Sequence, residues 1–141
     1  INYMVIGYTT GVYDMFHIGH LNILKRAKEQ CDYLIVGVTT DELCFSRKNK
    51  YPIINQDDRF EIVASIKYVD KAVFQEDMDK CKAVKEYNVN KVFVGNDWKG
   101  TSSWKEYEKE FAQLGCEVVY LDHTDGISST ILRNKLNEQD Y

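Results

Sequence analysis

Short apolar runs that alternate with helix-like stretches constrain the fold of this chain more than any other feature of its sequence. Five such runs are rich in Val, Ile and Tyr and nearly continuous; they cover residues 3–9, 33–38, 72–74, 91–94 and 117–121. Continuous apolar runs are typical of strands that are buried on both faces of a sheet. Because helical patterns separate the strands, the sequence predicts βαβ units and a parallel sheet.

The stretches between the predicted strands contain apolar residues at helical spacing. The four sets are Leu21, Leu24 and Ala27; Ile62, Ile66 and Val69; Trp104, Tyr107, Phe111 and Leu114; and Ile127, Ile131 and Leu136. The longest stretch without such a pattern is 45–55, which is basic at its start and contains the only proline, Pro52. Its length marks it as a candidate active-site loop.

Composition sets the broad class of the protein. The 141 residues suit a single domain, 1–141, and a hydrophobic content of 44% is enough for a packed core. A net charge of −4 argues against a general nucleic-acid binder, and no apolar stretch is long enough to cross a membrane. The four cysteines form no closely spaced pair, so we expect core thiols in a reduced, cytoplasmic compartment.

Polar clusters that contain glycine follow three of the predicted strands. They cover residues 9–20, 95–100 and 122–130. Parallel sheets bind ligands beyond the carboxyl ends of their strands, in the crevice where the strand order reverses. The three clusters therefore predict one site.

The first cluster ends in the string His-Ile-Gly-His, residues 17–20. If a helix begins near Ile18, both imidazoles lie at its positive end, beside backbone N–H groups that bind anions. Gly19 lets a phosphate approach the backbone, and the two histidines can donate hydrogen bonds to phosphate oxygens. The alternative is a chance pair of histidines at a helix start, but the preceding buried strand and glycine turn favour the phosphate site.

The other two clusters contain further candidates for nucleotide binding. Ser128, Ser129 and Thr130 open the last predicted helix, where their hydroxyls either cap the helix or hold a triphosphate. Asp97 is either a turn residue or a carboxylate for ribose hydroxyls or a base amino group. We expect the Trp98 indole to pack rather than to stack on a base.

The candidate loop contains a group of cations, Arg47-Lys48-Asn49-Lys50. Flexible ammonium groups can follow the charge that develops on the oxygens bridging to pyrophosphate when a triphosphate reacts. A solvated basic loop is the alternative that composition alone favours.

Four segments resemble the motifs of the H-x-G-H nucleotidylyltransferases, and of the cytidylyltransferases among them. Residues 11–20 resemble the H-x-G-H signature, 124–130 the R-T-E-G-I-S-T-[TS] motif, 95–100 the G-D-D-W-x-G element and 68–70 part of R-Y-V-D. The motifs occur in the family's order, and the similarity is greatest to the small bacterial glycerol-3-phosphate cytidylyltransferases. The resemblance implies an α/β fold with a Rossmann-like, doubly wound five-stranded parallel sheet of order 3-2-1-4-5.

The resemblance also implies an activity and partners. The implied reaction transfers CMP from CTP, taken with Mg2+, to a phosphorylated alcohol and releases pyrophosphate, and the expected acceptor is glycerol-3-phosphate. Phosphocholine and phosphoethanolamine are alternative acceptors. A homodimer is implied, whereas neither nucleic acid nor membrane insertion is expected.

Roles for individual residues follow from their positions in the family motifs. Catalytic roles fall to His17, His20, Lys50 and Asp14. Nucleotide binding falls to Val12, Tyr13, Gly19, Asp97, His123, Thr124, Gly126, Ile127, Ser128, Ser129 and Thr130. Substrate binding falls to Lys48, Lys80 and Lys82. Asp14 would either orient the loop or help to organise a Mg2+ ion that phosphate oxygens mainly bind, and no protein-held metal is predicted.

Three positions depart from the family pattern. His123 stands where relatives carry arginine, which replaces a permanent charge by a titratable one. Lys67 replaces the arginine of R-Y-V-D and loses its bidentate fork. Residues 76–82 match the glycerol-3-phosphate enzymes poorly: those enzymes carry a Trp and a substrate-contacting lysine there, and this chain has Met78, Lys80, Cys81 and Lys82, which leaves the acceptor open.

Three other functions remain as alternatives. An adenylyltransferase of the same superfamily would share the H-x-G-H site, although Asp97-Trp98 and residues 124–130 favour cytidine. A fragment of a class I aminoacyl-tRNA synthetase would explain His-Ile-Gly-His, but the chain is short and acidic and has no K-M-S-K-S-like loop. A regulator that binds CTP without turnover is suggested by His123 alone.

Overall fold

The computed structural model of the protein describes residues 4–122 and 128–138, in which strands and helices alternate. The strands are β1 (Ile6–Gly11), β2 (Tyr33–Thr39), β3 (Lys71–Gln75), β4 (Lys91–Gly95) and β5 (Glu117–Leu121). The helices are α1 (Ile18–Lys28), α2 (Asp41–Lys48), α3 (Gln56–Ala64), α4 (Lys80–Tyr87), α5 (Ser102–Gln113) and α6 (Ser129–Glu138). A 3-10 turn, Asn96–Trp98, follows β4. None of the described helices is long and apolar enough to span a membrane.

The five strands form one parallel sheet of order β3-β2-β1-β4-β5, which confirms the predicted topology. The order reverses at β1, because the chain first winds outward to β3 and then returns to add β4 on the other side. β1 pairs with β2 along Ile6–Gly11 but with β4 only at Gly7 and Tyr8. The ladder between β1 and β4 therefore ends early, and a crevice opens between the carboxyl ends of these strands.

Apolar side chains fill both faces of the sheet, because successive residues of a strand point to opposite sides. In β2, Val36 belongs to one buried cluster and Ile35 to the other. The first cluster includes Leu24 of α1 and Val63 of α3, and the second includes Phe111 of α5. Helices thus cover both faces, which explains why the strands read as nearly continuous apolar runs.

The candidate loop is shorter than predicted, because its first residues are helical. α2 extends through Lys48, so the irregular segment begins at Asn49 rather than at residue 45. The Thr40 hydroxyl accepts a hydrogen bond from the Leu43 amide and caps this helix. α2 was missed because few apolar residues mark it; among its residues only Cys44 is buried.

The helix predicted to include Ile66 and Val69 also ends earlier than expected, since α3 stops at Ala64. Beyond it, the Ile66 amide bonds to the Val63 carbonyl and the Val69 amide to the Ile66 carbonyl. Both side chains still pack against the first cluster. The helical spacing of these residues reflects a shared core face and not a continuous helix.

Candidate active site

A cavity of about 350 Å³ opens at the carboxyl ends of β1 and β4. The strands contribute the backbone floor, which includes Gly11 and Gly95. The segment after α2 contributes one wall and the start of α6 another. The cavity lies at the reversal of strand order, where the three polar clusters of the sequence were expected to meet.

The structure brings a large part of the predicted site to this cavity. The predicted residues that line it are Val12, Tyr13, Asp14, His20, Lys48, Lys50 and Thr130. Other predicted residues lie outside the described part of the chain: His123, Thr124, Gly126 and Ile127.

The turn between β1 and α1 adopts an uncommon backbone conformation. Tyr13 and Met15, on either side of Asp14, have φ angles of 56° and 49°. Left-handed backbone at residues other than glycine costs on the order of 1 kcal/mol each and is concentrated at functional sites. The Tyr13 ring packs so closely on Gly11 that a Cβ there would lie 2.8 Å from Tyr13 Cζ. A side chain at position 11 would therefore displace the buried Tyr13 ring, which favours the glycine that the sequence motif contains.

Asp14 is buried and binds the segment that closes the cavity. Its carboxylate accepts hydrogen bonds from the Ile53 and Ile54 amides, both at 2.9 Å, and from the Arg133 guanidinium of α6. Burial alone would raise the pKa of Asp14, but these donors outweigh it and the pKa is lowered. Of the two roles considered for Asp14, this geometry supports orientation of the loop.

His17 and His20 fix each other at the start of α1. His17 Nδ1 accepts from the Gly19 amide at 3.0 Å, and His20 Nδ1 accepts from the His17 amide at 3.2 Å. This reciprocal arrangement is a capping box built from two histidines. Because each Nδ1 is an acceptor, each neutral ring holds its proton on Nε2. The Gly19 amide is engaged in the cap, so it is not a spare donor for a phosphate.

Both imidazoles are neutral near pH 7. Burial lowers the pKa of His20 to about 4; His17 lowers it further and Asp14 opposes the shift. Burial also lowers the pKa of His17. The rings stack with centroids 3.8 Å apart. Among the described residues, His17 Nε2 is a buried side-chain nitrogen with no hydrogen-bond partner, which leaves an N–H donor available for a ligand oxygen.

Arg59 is the buried residue that joins the walls of the site, with 1% exposure. Its guanidinium donates to the carbonyls of Ile54, Val12 and Thr39 at 2.7–2.8 Å. It also forms an ion pair with Asp41 at 2.6 Å. One side chain thus ties the turn after β1 to the end of β2, the start of α2 and the loop before α3.

Neither of the two lysines of α4 that were predicted to bind substrate lines this cavity; both border a second cavity next to β3 and α4, but their surroundings differ. Lys80 Nζ lies 3.3 Å from Oγ1 of Thr10, which lines the cavity, and 5.6 Å from the centre of the Trp104 ring. Burial, aided by the Arg47 charge, lowers the pKa of Lys80 to about 8. Lys82 lies away from the cavity: its side chain is 66% exposed and its Nζ is 3.9 Å from an Asp77 carboxylate oxygen.

Two other predicted residues are placed by the ends of β4 and α6. Ser128 Oγ accepts from the Ile131 amide at 3.1 Å, so this hydroxyl caps α6. Asp97 is exposed in the 3-10 turn. The neighbouring Trp98 was expected to pack, and this was wrong: it is 47% exposed and lines the cavity.

Arg133 is a cavity residue that the sequence reasoning missed. It follows Thr130 by three positions on α6, and residues three apart share one face of a helix. That spacing could have identified Arg133 as the cation on the cavity side of the helix. Within the described ranges, no group of three or more His, Cys, Asp or Glu side chains is placed to hold a metal ion.

Comparisons with known proteins agree with the motifs. The model of the family described as cytidylyltransferase-like matches residues 8–135. A glycerol-3-phosphate cytidylyltransferase of Staphylococcus aureus (strain NCTC 8325 / PS 47) is 37% identical and covers 94% of this chain and 95% of its own. An FAD synthase of Archaeoglobus fulgidus is 33% identical over 78% of this chain and 79% of its own. An ethanolamine-phosphate cytidylyltransferase of Mus musculus is 34% identical over 89% of this chain and 31% of its own.

Proposed function

This chain belongs to the cytidylyltransferase-like family, and from that membership we propose that it transfers CMP from CTP to glycerol-3-phosphate. The family and the relatives support a nucleotidyltransferase. The observation that carries the proposal is the unpartnered Nε2 of His17, whose ring stacks on His20; His20 lines the cavity together with Lys48 and Lys50, and His17 itself does not. Neutral N–H donors beside lysine cations suit a reaction in which negative charge develops on phosphate oxygens.

The proposed reaction is an in-line displacement at the α-phosphorus of CTP. A phosphate oxygen of the acceptor forms the new P–O bond while the bond from the α-phosphorus to the bridging oxygen breaks. The electron pair of the broken bond leaves with pyrophosphate. Such transfers are catalysed mainly by positioning and charge stabilisation, so that no nucleophilic side chain is required.

The residues of the site then have distinct roles. The Nε2–H groups of His17 and His20 donate to oxygens of the α-phosphate as charge develops there. Lys50 neutralises the departing pyrophosphate, and Lys48 reaches toward the acceptor phosphate. Thr130 and the start of α6 hold the triphosphate.

We place Mg2+ with CTP, as part of the substrate. The Asp14 carboxylate already accepts two amides and a guanidinium, which does not suit a metal ligand. Phosphate oxygens would therefore provide most of the coordination.

Lys80 is the residue we assign to the acceptor. Its ammonium group lies beside Thr10, on the side of the sheet covered by α4 and α5. A phosphate monoester bound there would replace solvent around a partly buried cation and gain a charge-assisted hydrogen bond.

The test is release of pyrophosphate in the presence of Mg2+, with CTP, ATP, GTP and UTP crossed against several acceptors. The acceptors are glycerol-3-phosphate, phosphocholine, phosphoethanolamine and FMN. We expect turnover with CTP and glycerol-3-phosphate, and a rate about 100- to 1000-fold lower for the His17→Asn variant under the same conditions. Turnover with CTP and a different acceptor would replace glycerol-3-phosphate as the proposed substrate. No turnover despite CTP binding would indicate a regulator.

An adenylyltransferase is the second candidate, because a relative 33% identical to this chain is an FAD synthase. FAD contains an adenylate group, so turnover of ATP with FMN would favour this candidate.

The homodimer and the cytoplasmic location stay predictions, and light scattering of the purified protein tests the homodimer.

A further inference from the structure

The segment with the candidate lysines begins at an aromatic pair that the proposed mechanism does not use. Phe45, in the last turn of α2, and Tyr51 stack with ring centroids 4.6 Å apart and planes inclined by 21°. The residues are 39% and 63% exposed. Neither belongs to the two buried clusters of the sheet, so packing of the core does not account for this contact.

The stacked rings enclose a tight reversal of the backbone. Asn49 has a left-handed φ of 56°, and its amide donates to the Phe45 carbonyl at 2.8 Å. The turn places Lys48 and Lys50 on either side of Asn49, and both line the cavity. The Phe45–Tyr51 contact closes this turn through side chains, in addition to the backbone hydrogen bond.

The far end of the segment is held by a different contact. The amides of Ile53 and Ile54 donate to the buried carboxylate of Asp14. The segment from Asn49 to Pro52 is thus attached on one side to α2, by the helix cap and the ring stack, and on the other to the turn after β1. Loss of the ring stack would leave the second attachment and the cap in place.

We infer that the Phe45–Tyr51 stack is a positioning element that holds Lys48 and Lys50 over the cavity before nucleotide binds. Ordering a lysine side chain and its backbone on binding is entropically costly, and a segment that is already ordered reduces this cost. Tyr51 itself lines the cavity whereas Phe45 does not, so Phe45→Ala removes the stack without removing a side chain that lines the cavity. The kinetic part of this inference rests on the proposed function.

The kinetic test compares variants that keep or remove the ring contact. We expect Tyr51→Ala and Phe45→Ala each to lower kcat/KM for CTP about three- to tenfold, because that factor corresponds to the interaction free energy of one aromatic pair. Tyr51→Phe retains the stack and should restore activity to within about twofold of wild type. Ile53→Ala is the matched control, because it removes an exposed apolar side chain of the same segment and keeps its amide contact with Asp14.

A mutant cycle shows whether the rings act through the two lysines. If they do, Tyr51→Ala has little further effect in a background in which Lys48 and Lys50 are both replaced by alanine. A full additional loss in that background, or equal losses for Tyr51→Phe and Tyr51→Ala, would overturn the inference.

Limited trypsin digestion tests the ordering of the segment without any enzyme assay. Trypsin cleaves after Arg47, Lys48 and Lys50, and mass spectrometry identifies these sites. We expect cleavage there to be several-fold faster in Tyr51→Ala and Phe45→Ala than in Tyr51→Phe, Ile53→Ala or wild type. Equal rates in all five proteins would refute the inference even if the enzyme is active, whereas an inactive wild type with the expected cleavage pattern would refute only the proposed function.

Discussion

At the scale of single residues, His17 has two ring nitrogens with separate tasks. Nδ1 accepts the Gly19 amide and caps α1, and Nε2 is the donor without a partner among the described residues. One histidine therefore contributes to stability through one atom and, in our proposal, to catalysis through the other. A residue that can cap a helix but cannot donate from the second position separates the two contributions.

Substitutions of His17 should separate stability from turnover. Asparagine is a good N-cap, so we expect the free energy of unfolding of His17→Asn to lie within about 0.5 kcal/mol of the wild-type value. We expect that of His17→Ala to be lower by about 1 kcal/mol. Both should lose about 100- to 1000-fold in kcat with little change in KM for CTP, because both lack the Nε2–H donor. Urea denaturation and steady-state kinetics measure the two quantities. An active His17→Asn enzyme would contradict the catalytic role.

Lys80 should determine how acceptor binding depends on pH. Its pKa is lowered to about 8, so the free enzyme holds an ammonium group below that pH and a neutral amine above it. A phosphate binds the ammonium form, and kcat/KM for the acceptor should fall as pH rises through about 8. The profile is measured at saturating CTP.

Substitution of Lys80 provides the control for this profile. We expect Lys80→Met to raise KM for the acceptor about 10- to 100-fold, the effect of losing a charged hydrogen bond, and to remove the decline near pH 8. Lys82→Met, which alters an exposed lysine on the same helix, should stay within about twofold of wild type. If Lys82→Met had the larger effect, the assignment to Lys80 would be wrong.

At the scale of secondary-structure elements, Arg59 decides how the loops around the site meet. The backbone of Arg59 is part of α3, and its guanidinium donates to carbonyls in the turn after β1 and at the end of β2. These carbonyls belong to Val12, just after the end of β1, and to Thr39, the last residue of β2. A single guanidinium with five N–H donors bonds to both of them at once.

Removal of Arg59 should be costly for stability. We expect Arg59→Met to lower the free energy of unfolding by about 3–5 kcal/mol, because it leaves the Asp41 carboxylate without its cation and several carbonyls without this donor. Lys28→Met is the comparison: it breaks the Lys28–Asp70 pair, whose side chains are 28% and 33% exposed, and should cost about 1 kcal/mol or less. Urea denaturation of both variants gives the two values, and similar losses would argue against a special role for Arg59.

At the scale of the whole molecule, the two buried clusters share the strands of one sheet. Val36 and Ile35 are neighbours in β2 but belong to opposite clusters. Loss of packing on one face would expose strands whose other side chains pack on the opposite face. This arrangement favours one cooperative transition over independent unfolding of two halves.

Unfolding should therefore follow a single transition, as expected for one domain. The chain has two tryptophans, and the Trp98→Phe variant leaves Trp104, which is 6% exposed in the second cluster. Its fluorescence then reports the face covered by α4 and α5, while far-UV circular dichroism reports all helices. We expect coincident urea midpoints, and two separated midpoints would contradict the single-domain prediction.

The sequence alone predicted the fold class, the strand order and the edge of the sheet where the candidate cavity lies. These properties depend on local periodicity and on family motifs, and both are present in short stretches of sequence. The start of α1 near Ile18 was predicted for the same reason, because the histidine spacing and the preceding glycine turn are local signals. The end of α3 was not, since Ile66 and Val69 keep a helical spacing while they pack against the core from turns.

Only the tertiary structure decided which side chains work together. Asp14 and Arg133 are 119 positions apart in sequence and meet at the cavity, and no local pattern encodes their pairing. The same holds for Lys80, which reaches Thr10, whereas Lys82 on the same helix points to solvent near Asp77. The physical reason is that hydrogen bonds and ion pairs depend on distances and angles at the scale of ångströms. Those distances are set by how the helices pack on the sheet, which is a property of the whole chain.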